Sequence, residues 1–265
     1  KASNGCYVAP PQDQATMPVG HFCANNDKAV REGYGKTLEQ ARAKCHEMLE
    51  KGIEGEDAAK YEFYKSVEIC CEGIITFAKR YSVYCAELAQ DCQDPNRKAE
   101  LERLSDIMGW IMENGARDYW EAIEAVWFNQ MCVVMDANLH GTSVGRLDQY
   151  VGDYLERDLA SGKITREFAQ ELMDSFYLKE GEINKAGHQH IGMAAPGYTS
   201  GQAITLGGTD RQGNDATNEA TYMGLESAAR LLLHDPPTAL RCNPKMPAKL
   251  WDCAIECTKR AGGVP

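Results

Sequence analysis

The segment GYTSGQAITLGGTDRQGNDATNE, Gly197 to Glu219, lies between two stretches that read as strong helices. It holds five glycines and four threonines and almost no bulk. A flexible linker is built of Gly/Ser repeats. Here a short apolar core, AITL from Ala203 to Leu206, is strand-like and set between turn residues.

Working outward, helical periodicity dominates from Asn26 to about Ser227. Residues 1–25 are Pro- and Gly-rich and read as irregular. Thr37–Leu49 is a short amphipathic helix. Asp57–Asp91 reads as one long helix, with Tyr61, Tyr64, Cys71, Ile75, Ala78, Cys85 and Leu88 on one stripe. Its aromatics are read as core or interface packing, with no cofactor on its cysteines. Asp94-Pro95 is an N-cap followed by proline at the first helical position, opening a helix to Asn114 that Gly115 ends. Trp120–Ala137 is apolar on most sides. Leu147–Ala160 and Thr165–Lys179 form a helical pair around SGKI, and Thr217–His234 is a further helix. TALRC, residues 238–242, reads as a buried strand, and Pro247 starts a last helix to Arg260. Few short strands separated by helices predict an α/β fold, a barrel or parallel sheet with large helical insertions.

Composition narrows the function. A net charge of −11 with no basic stripe excludes a phosphate-backbone partner. No apolar run reaches the ~18 residues that span a bilayer. Of eleven cysteines none forms C-x-x-C, so small buried thiols on helix faces are preferred to a metal site. That usage fits a reducing cytoplasm. The chain opens on Lys1 without a signal-peptide core and closes on RAGGVP, and both ends read as cuts.

Candidate chemistry gathers in DANLHGTSVGRLDQY, Asp136–Tyr150. Small residues there permit close backbone approach to a ligand. The same residues also fit a plain corner, with Asp148 tying Arg146 or a neighbouring backbone. His21 stands alone in an irregular segment, and His188-x-His190 offers two metal ligands where four are needed. No P-loop, nucleophile elbow or dinucleotide fingerprint is present.

The combination EAVWFNQMCVVMDANLHGTSVGRLDQY, YLERDLASGKITREFAQELMDSFYLK, GYTSGQAITLGGTDRQGNDATNEATYMGLESA and ALRCNPKMPAKLWDCAIECTKRAGGVP resembles the glycyl radical enzymes from about Gly20 to Pro265. GRLDQY and TLGG…DATNE are the most specific parts. The chain looks closer to the dehydratase, lyase and decarboxylase branch than to pyruvate formate-lyase itself.

The resemblance implies a barrel of two antiparallel half-barrels wrapped in helices. A partner enzyme using S-adenosylmethionine generates a radical on a C-terminal glycine. That radical passes to a cysteine on a loop inside the barrel. Neither the cysteine loop nor the radical glycine has a counterpart here, so the catalytic pair is expected outside residues 1–265, and the chain binds no cofactor of its own. Residues 1–265 then form one partial domain: an irregular lead-in (1–25), a helical layer (26–196) holding an active-site loop at 136–150, and the first barrel strands and helices (197–265). Ala203, Thr205 and their neighbours would alternate between cavity and helix layer. The substrate-binding residues implied are His21, His140, Gly141, Ser200 and Thr205. Diol-dehydrating relatives carry serine where this chain has Gly141, which implies a bulkier substrate. A small-molecule substrate, an activating enzyme and a homodimer are the implied partners, with no nucleic acid and no membrane, in the cytoplasm. The fragment alone is expected to be inactive. The alternative is a non-catalytic split subunit or degenerate scaffold of the same fold.

Overall fold

The computed structural model describes residues 21–137, 141–183 and 201–265, with the side chains of 136 and 137 left aside. It divides into two compact units.

The first unit comprises residues 27–117 and 124–129 and is helical. Helix α1 (Asn26–Arg31) leads into α2 (Gly35–Lys51), the long α3 (Asp57–Asp91) and α4 (Pro95–Asn114). Helix α3 packs on α4 and α2. Asp94 caps α4 as expected: its carboxylate accepts from the backbone N–H of Asn96 (2.8 Å) and Arg97 (3.2 Å). The turn after α1 meets the end of α4 backbone to backbone. Tyr34 N–H donates to Met112 O (2.8 Å) and Ala116 N–H to Val30 O (2.7 Å). That crossing needs glycine: a Cβ on Gly33 would sit 2.7 Å from the backbone of Asn114.

The stripe read on α3 holds for Cys71, Ile75 and Ala78, which are buried, while Leu88 is exposed. The aromatics of α3 divide. Phe77 and Tyr81 pack on Phe128 with ring centroids 5.4 and 5.8 Å apart, whereas Phe63 and Tyr84 are more than half exposed. The reading of cysteines as buried thiols is likewise corrected. Cys45, Cys71 and Cys257 are buried, but Cys23, Cys70 and Cys242 are exposed. Cys70 and Cys71 are consecutive on a helix, so about 100° of rotation separates them and one must face out.

The second unit comprises residues 118–123 and 130–265, with the short segment before α1. Helix α5 (Tyr119–Ala137) contributes to both units. Strands β1 (Gly145–Arg146), β2 (Ile204–Gly207) and β3 (Thr238–Arg241) form a parallel sheet in the order β1-β2-β3. Parallel neighbours need crossovers. Helices α6 (Leu147–Ala160) and α7 (Arg166–Glu182) fill the first, and α8 (Glu219–Leu231) the second; α9 (Ala248–Ala261) follows β3. The chain is thus mainly helical with a small parallel sheet.

Ile204 and Leu206 are fully buried on the helix-covered face of β2, and Thr205 is half-buried on the other. Strand β3 exists as predicted, but it is not a buried strand: only Thr238 of its four residues is buried, because β3 lies at the sheet edge. Helix α8 is shorter than predicted. Asn218 and Thr221 form a reciprocal cap at its start, and Leu232, in the left-handed region (φ 54), ends it.

Replacing Asp94 by alanine removes both cap bonds of α4 and should cost about 1 kcal/mol. The expected outcome is a fall of about 2–4 °C in the thermal midpoint followed by circular dichroism.

Candidate functional site

The two motifs that stand out in the sequence interlock at the C-terminal ends of the strands. Arg146 leaves β1 and its guanidinium donates to Gly207 O (2.6 Å) and Thr209 O (2.9 Å). Two residues on, in the first turn of α6, Asp148 accepts the N–H of Gly207 (2.7 Å) and the hydroxyl of Thr221 (2.6 Å). Both backbone groups of Gly207 are therefore held by GRLDQY. Two further bonds join the same motifs, one from each side. Asn218 Nδ2 donates to Asp148 O (2.9 Å), and Gln149 Nε2 donates to Ala216 O (2.8 Å). Asn243 Nδ2 adds bonds to Asp215 Oδ1 (2.8 Å) and Gly208 O (3.0 Å), which brings β3 into the same knot.

Asp148 is fully buried. Burial raises its proton affinity more than the bonds from Thr221 and Gly207 and the nearby Arg146 lower it. These groups are spent on the fold. Of the two readings open for this loop, the corner with Asp148 tied to a neighbouring backbone describes Arg146, Asp148 and Gln149.

The opposite ends of the strands carry the other candidates. The segment from His21 runs beside the approach to β1: Ser143 N–H donates to Phe22 O (2.8 Å), and Asn26 Nδ2 donates to Val144 O (3.0 Å). His21 is exposed and takes φ 58, a left-handed conformation costly for a non-glycine residue. Its imidazole lies against Gly141, where a Cβ would come within 2.8 Å of His21 Nδ1. Gly201 backs the same spot, its would-be Cβ 3.5 Å from Gly141 Cα. The missing side chain at 141 therefore makes room for His21, and not in itself for a bulkier substrate.

Of the residues expected to bind substrate, His21 and Gly141 come together with Gly201 beside them. Thr205 sits further along, inside β2, in register with Arg146 and Ala239. His140 and Ser200, and with them His188 and His190, lie outside the described residues.

Beneath Gly201 is a polar network that the sequence reading passed over. Gln202 is fully buried; its Nε2 donates to Glu180 O (3.1 Å), and its Oε1 accepts from Gln130 Nε2 (3.3 Å). Gln130 Nε2 also donates to Thr142 O (2.6 Å). Asp235 Oδ2 accepts the N–H of Gly201 (3.3 Å). Glu180 is fully buried and neither of its carboxyl oxygens has a hydrogen-bond partner among the described residues. Burial first, and then the Asp235 charge, push its pKa well above the usual carboxylate range. A signal for Glu180 was available: it continues the buried α7 stripe of Leu172, Met173, Phe176 and Tyr177 at helical spacing.

Among the described residues no group of three or more His, Cys, Asp or Glu is placed to hold a metal ion, and no helix is long and apolar enough to cross a membrane.

A family model described as pyruvate formate lyase-like matches residues 8–265. The chain belongs to this family. Isethionate sulfite-lyase of Nitratidesulfovibrio vulgaris is 35% identical over 247 residues, covering 90% of this chain and 29% of that protein. (2S)-3-sulfopropanediol dehydratase of Klebsiella oxytoca is 29% identical, covering 93% of this chain and 30% of its own length. In three dimensions the chain is similar to the glycerol-bound B12-independent glycerol dehydratase from Clostridium butyricum, with a TM-score of 0.88 at 32% identity, over 98% of this chain and 33% of that one. Its homologues are thus glycyl radical lyases and dehydratases, of which it spans about a third or less.

Truncating Asp148 to alanine strands the N–H of Gly207 in the interior and should cost about 1–3 kcal/mol, while asparagine, which keeps one acceptor, should cost less. Denaturant midpoints of the two variants measure the difference. Gly141→Ala should displace the His21 imidazole, seen as a shift in its proton resonances, with little change in overall helix content.

Proposed function

We propose that these 265 residues are the front part of a glycyl radical enzyme that dehydrates a small organic substrate or cleaves a carbon–heteroatom or carbon–carbon bond in it, under anaerobic conditions. The observation that carries the reading is the family match over 8–265, in the same chain that seats an exposed, left-handed His21 against Gly141. In this reading the three parallel strands begin a barrel of two antiparallel half-barrels, and β3 presents the edge to which the next strand adds. The radical glycine and the cysteine that relays its radical lie outside these residues; together they supply hydrogen-atom abstraction. A radical activating enzyme using S-adenosylmethionine, a homodimeric state and a cytoplasmic setting belong to the same proposal.

The described residues have a limited set of tasks. His21 presents an imidazole that can donate or accept one hydrogen bond to a polar group of the substrate. Gly141 removes the bulk that would push that ring aside. Thr205 adds a hydroxyl on the face of β2 turned away from the helices. The Asp148 knot holds β1, β2 and α8 in register, so these groups keep their spacing. His140 and Ser200 complete the proposed substrate contacts.

Anaerobic incubation with the activating enzyme and S-adenosylmethionine, read by electron paramagnetic resonance, tests the reading. Residues 1–265 alone should give neither a glycyl doublet nor turnover; the complete polypeptide should give both. His21→Ala in the complete polypeptide should keep the doublet and lose about 100-fold in turnover, the scale of a misplaced substrate. A complete polypeptide with no doublet would instead make the protein a non-catalytic scaffold.

A further inference from the structure

We propose that the outer face of α3 is the surface on which two copies of this chain pair, antiparallel, with Gly73 at the crossing. It is a surface for the homodimeric state proposed above, and it rests on the residues of α3 and not on the radical chemistry.

The first sign is a glycine with no reason inside the described chain. Six described glycines lie within helices at ordinary backbone angles. At five of them, Gly35, Gly109, Gly152, Gly181 and Gly224, a Cβ would come within 3.1 Å of another part of the chain. Glycine there lets a neighbour pack onto the helix. Gly73, in the interior of the 35-residue α3, is the sixth, and a Cβ on it would meet nothing within 4 Å. Glycine in an exposed helix interior weakens the helix relative to alanine. Close approach by a second helix from outside the described residues gives Gly73 the same reason as the other five.

Gly73 lies two residues from both Cys71 and Ile75, so roughly 200° of helix rotation sets it opposite the buried stripe. The same outward line carries Glu62, Ser66, Ile69, Arg80 and Tyr84, all exposed. Phe63 and Val83 flank it. Phe63, Ile69, Val83 and Tyr84 are each more than half exposed. Phe77 and Tyr81 are already taken up by Phe128, but Phe63 and Tyr84 have no such cover. Along the edge Lys65 pairs with Glu68 and Lys79 with Glu113. Exposed aromatics and aliphatics inside a charged rim have the composition of an interface.

Charge selects the occupant and its direction. Glu62 and Arg80 form no ion pair with any described residue. Within one helix they stand about 27 Å apart, too far to meet. A second copy running antiparallel about a two-fold axis at Gly73 brings residue 73 + n of one helix against 73 − n of the other. Arg80 then lies against Ser66 of the second copy, one turn from its Glu62, and the pair forms twice. Phe63 and Tyr84, on the same flank and at matching distances before and after Gly73, meet across the copies as an aromatic pair. A parallel pairing would set Arg80 against Arg80 and Glu62 against Glu62. The face is complementary to itself in one direction only.

Sedimentation equilibrium of the complete polypeptide decides the proposal. The wild type should be a dimer. Gly73→Leu, which puts bulk at the crossing, should raise the dissociation constant about 100-fold or more. Arg80→Glu and Glu62→Arg should each raise it about tenfold or more, and the double variant, which exchanges the two charges in both copies, should restore it. A monomeric wild type, or a dimer that none of these variants weakens, overturns the proposal. So do variants that lower the thermal midpoint without changing the mass, which would place another segment of the same polypeptide on this face. If Gly73→Leu does not fold, the charge exchange decides alone, and single reversals that the double variant does not rescue overturn the pairing. The glycyl doublet is a separate readout. Its absence from the wild type defeats the radical-lyase reading and leaves the dimer standing; a monomer that carries the doublet defeats the α3 pairing and leaves that reading standing.

Discussion

The carboxylate of Asp148 has one oxygen on the N–H of Gly207 and on the hydroxyl of Thr221. With that single group, the first turn of α6 grips the end of β2 and the first turn of α8. Arg146 takes the carbonyl of the same Gly207, and Asn218 takes the carbonyl of Asp148. The arrangement is costly to build, since burial works against the charge on Asp148. It persists because strands this short offer few ladder bonds of their own. Side chains supply the register that a longer sheet would take from its backbone.

That constraint explains the composition of the two motifs. Gly207 and Gly208 take φ of +66° and +90°, so the chain can turn at the end of β2 while both backbone groups of Gly207 stay in reach of Arg146 and Asp148. Gly152 lets α6 close on α8: a Cβ there would lie 2.5 Å from Asn218 Nδ2. What reads as a flexible, polar stretch is a set of close backbone contacts with polar side chains as fasteners.

The opposite strand ends carry the proposed substrate contacts. There the His21 imidazole lies against Gly141, and the buried Glu180 carboxyl has no hydrogen-bond partner among the described residues. Local strain and unsatisfied polar groups concentrate where a protein handles a ligand. The family's radical chemistry needs a site that excludes water and holds its substrate in one pose. In the proposed reading the Asp148 knot, by fastening one end of the strands, keeps the groups at the other end in one arrangement.

By itself the sequence determined the helices, because their signals are local. Asp94-Pro95, Thr165 and Pro247 start α4, α7 and α9 where the structure has them, and α3 and α6 run as their periodicity requires. The two interlocking motifs also declared the family, since a run of small and polar residues that serves contacts has few substitutes. Tertiary structure alone decided which side of each element is covered. It left Phe63 and Tyr84 of α3 exposed and made β3 an edge strand with one buried residue. It also decided the partners: Asp148 found Gly207, and His21 came to rest on Gly141, across sequence separations of 59 and 120 that no periodicity encodes. Glu180 shows the limit most plainly. Its place on an apolar stripe was readable, but that no described residue hydrogen-bonds its carboxyl oxygens is a fact of the folded chain alone.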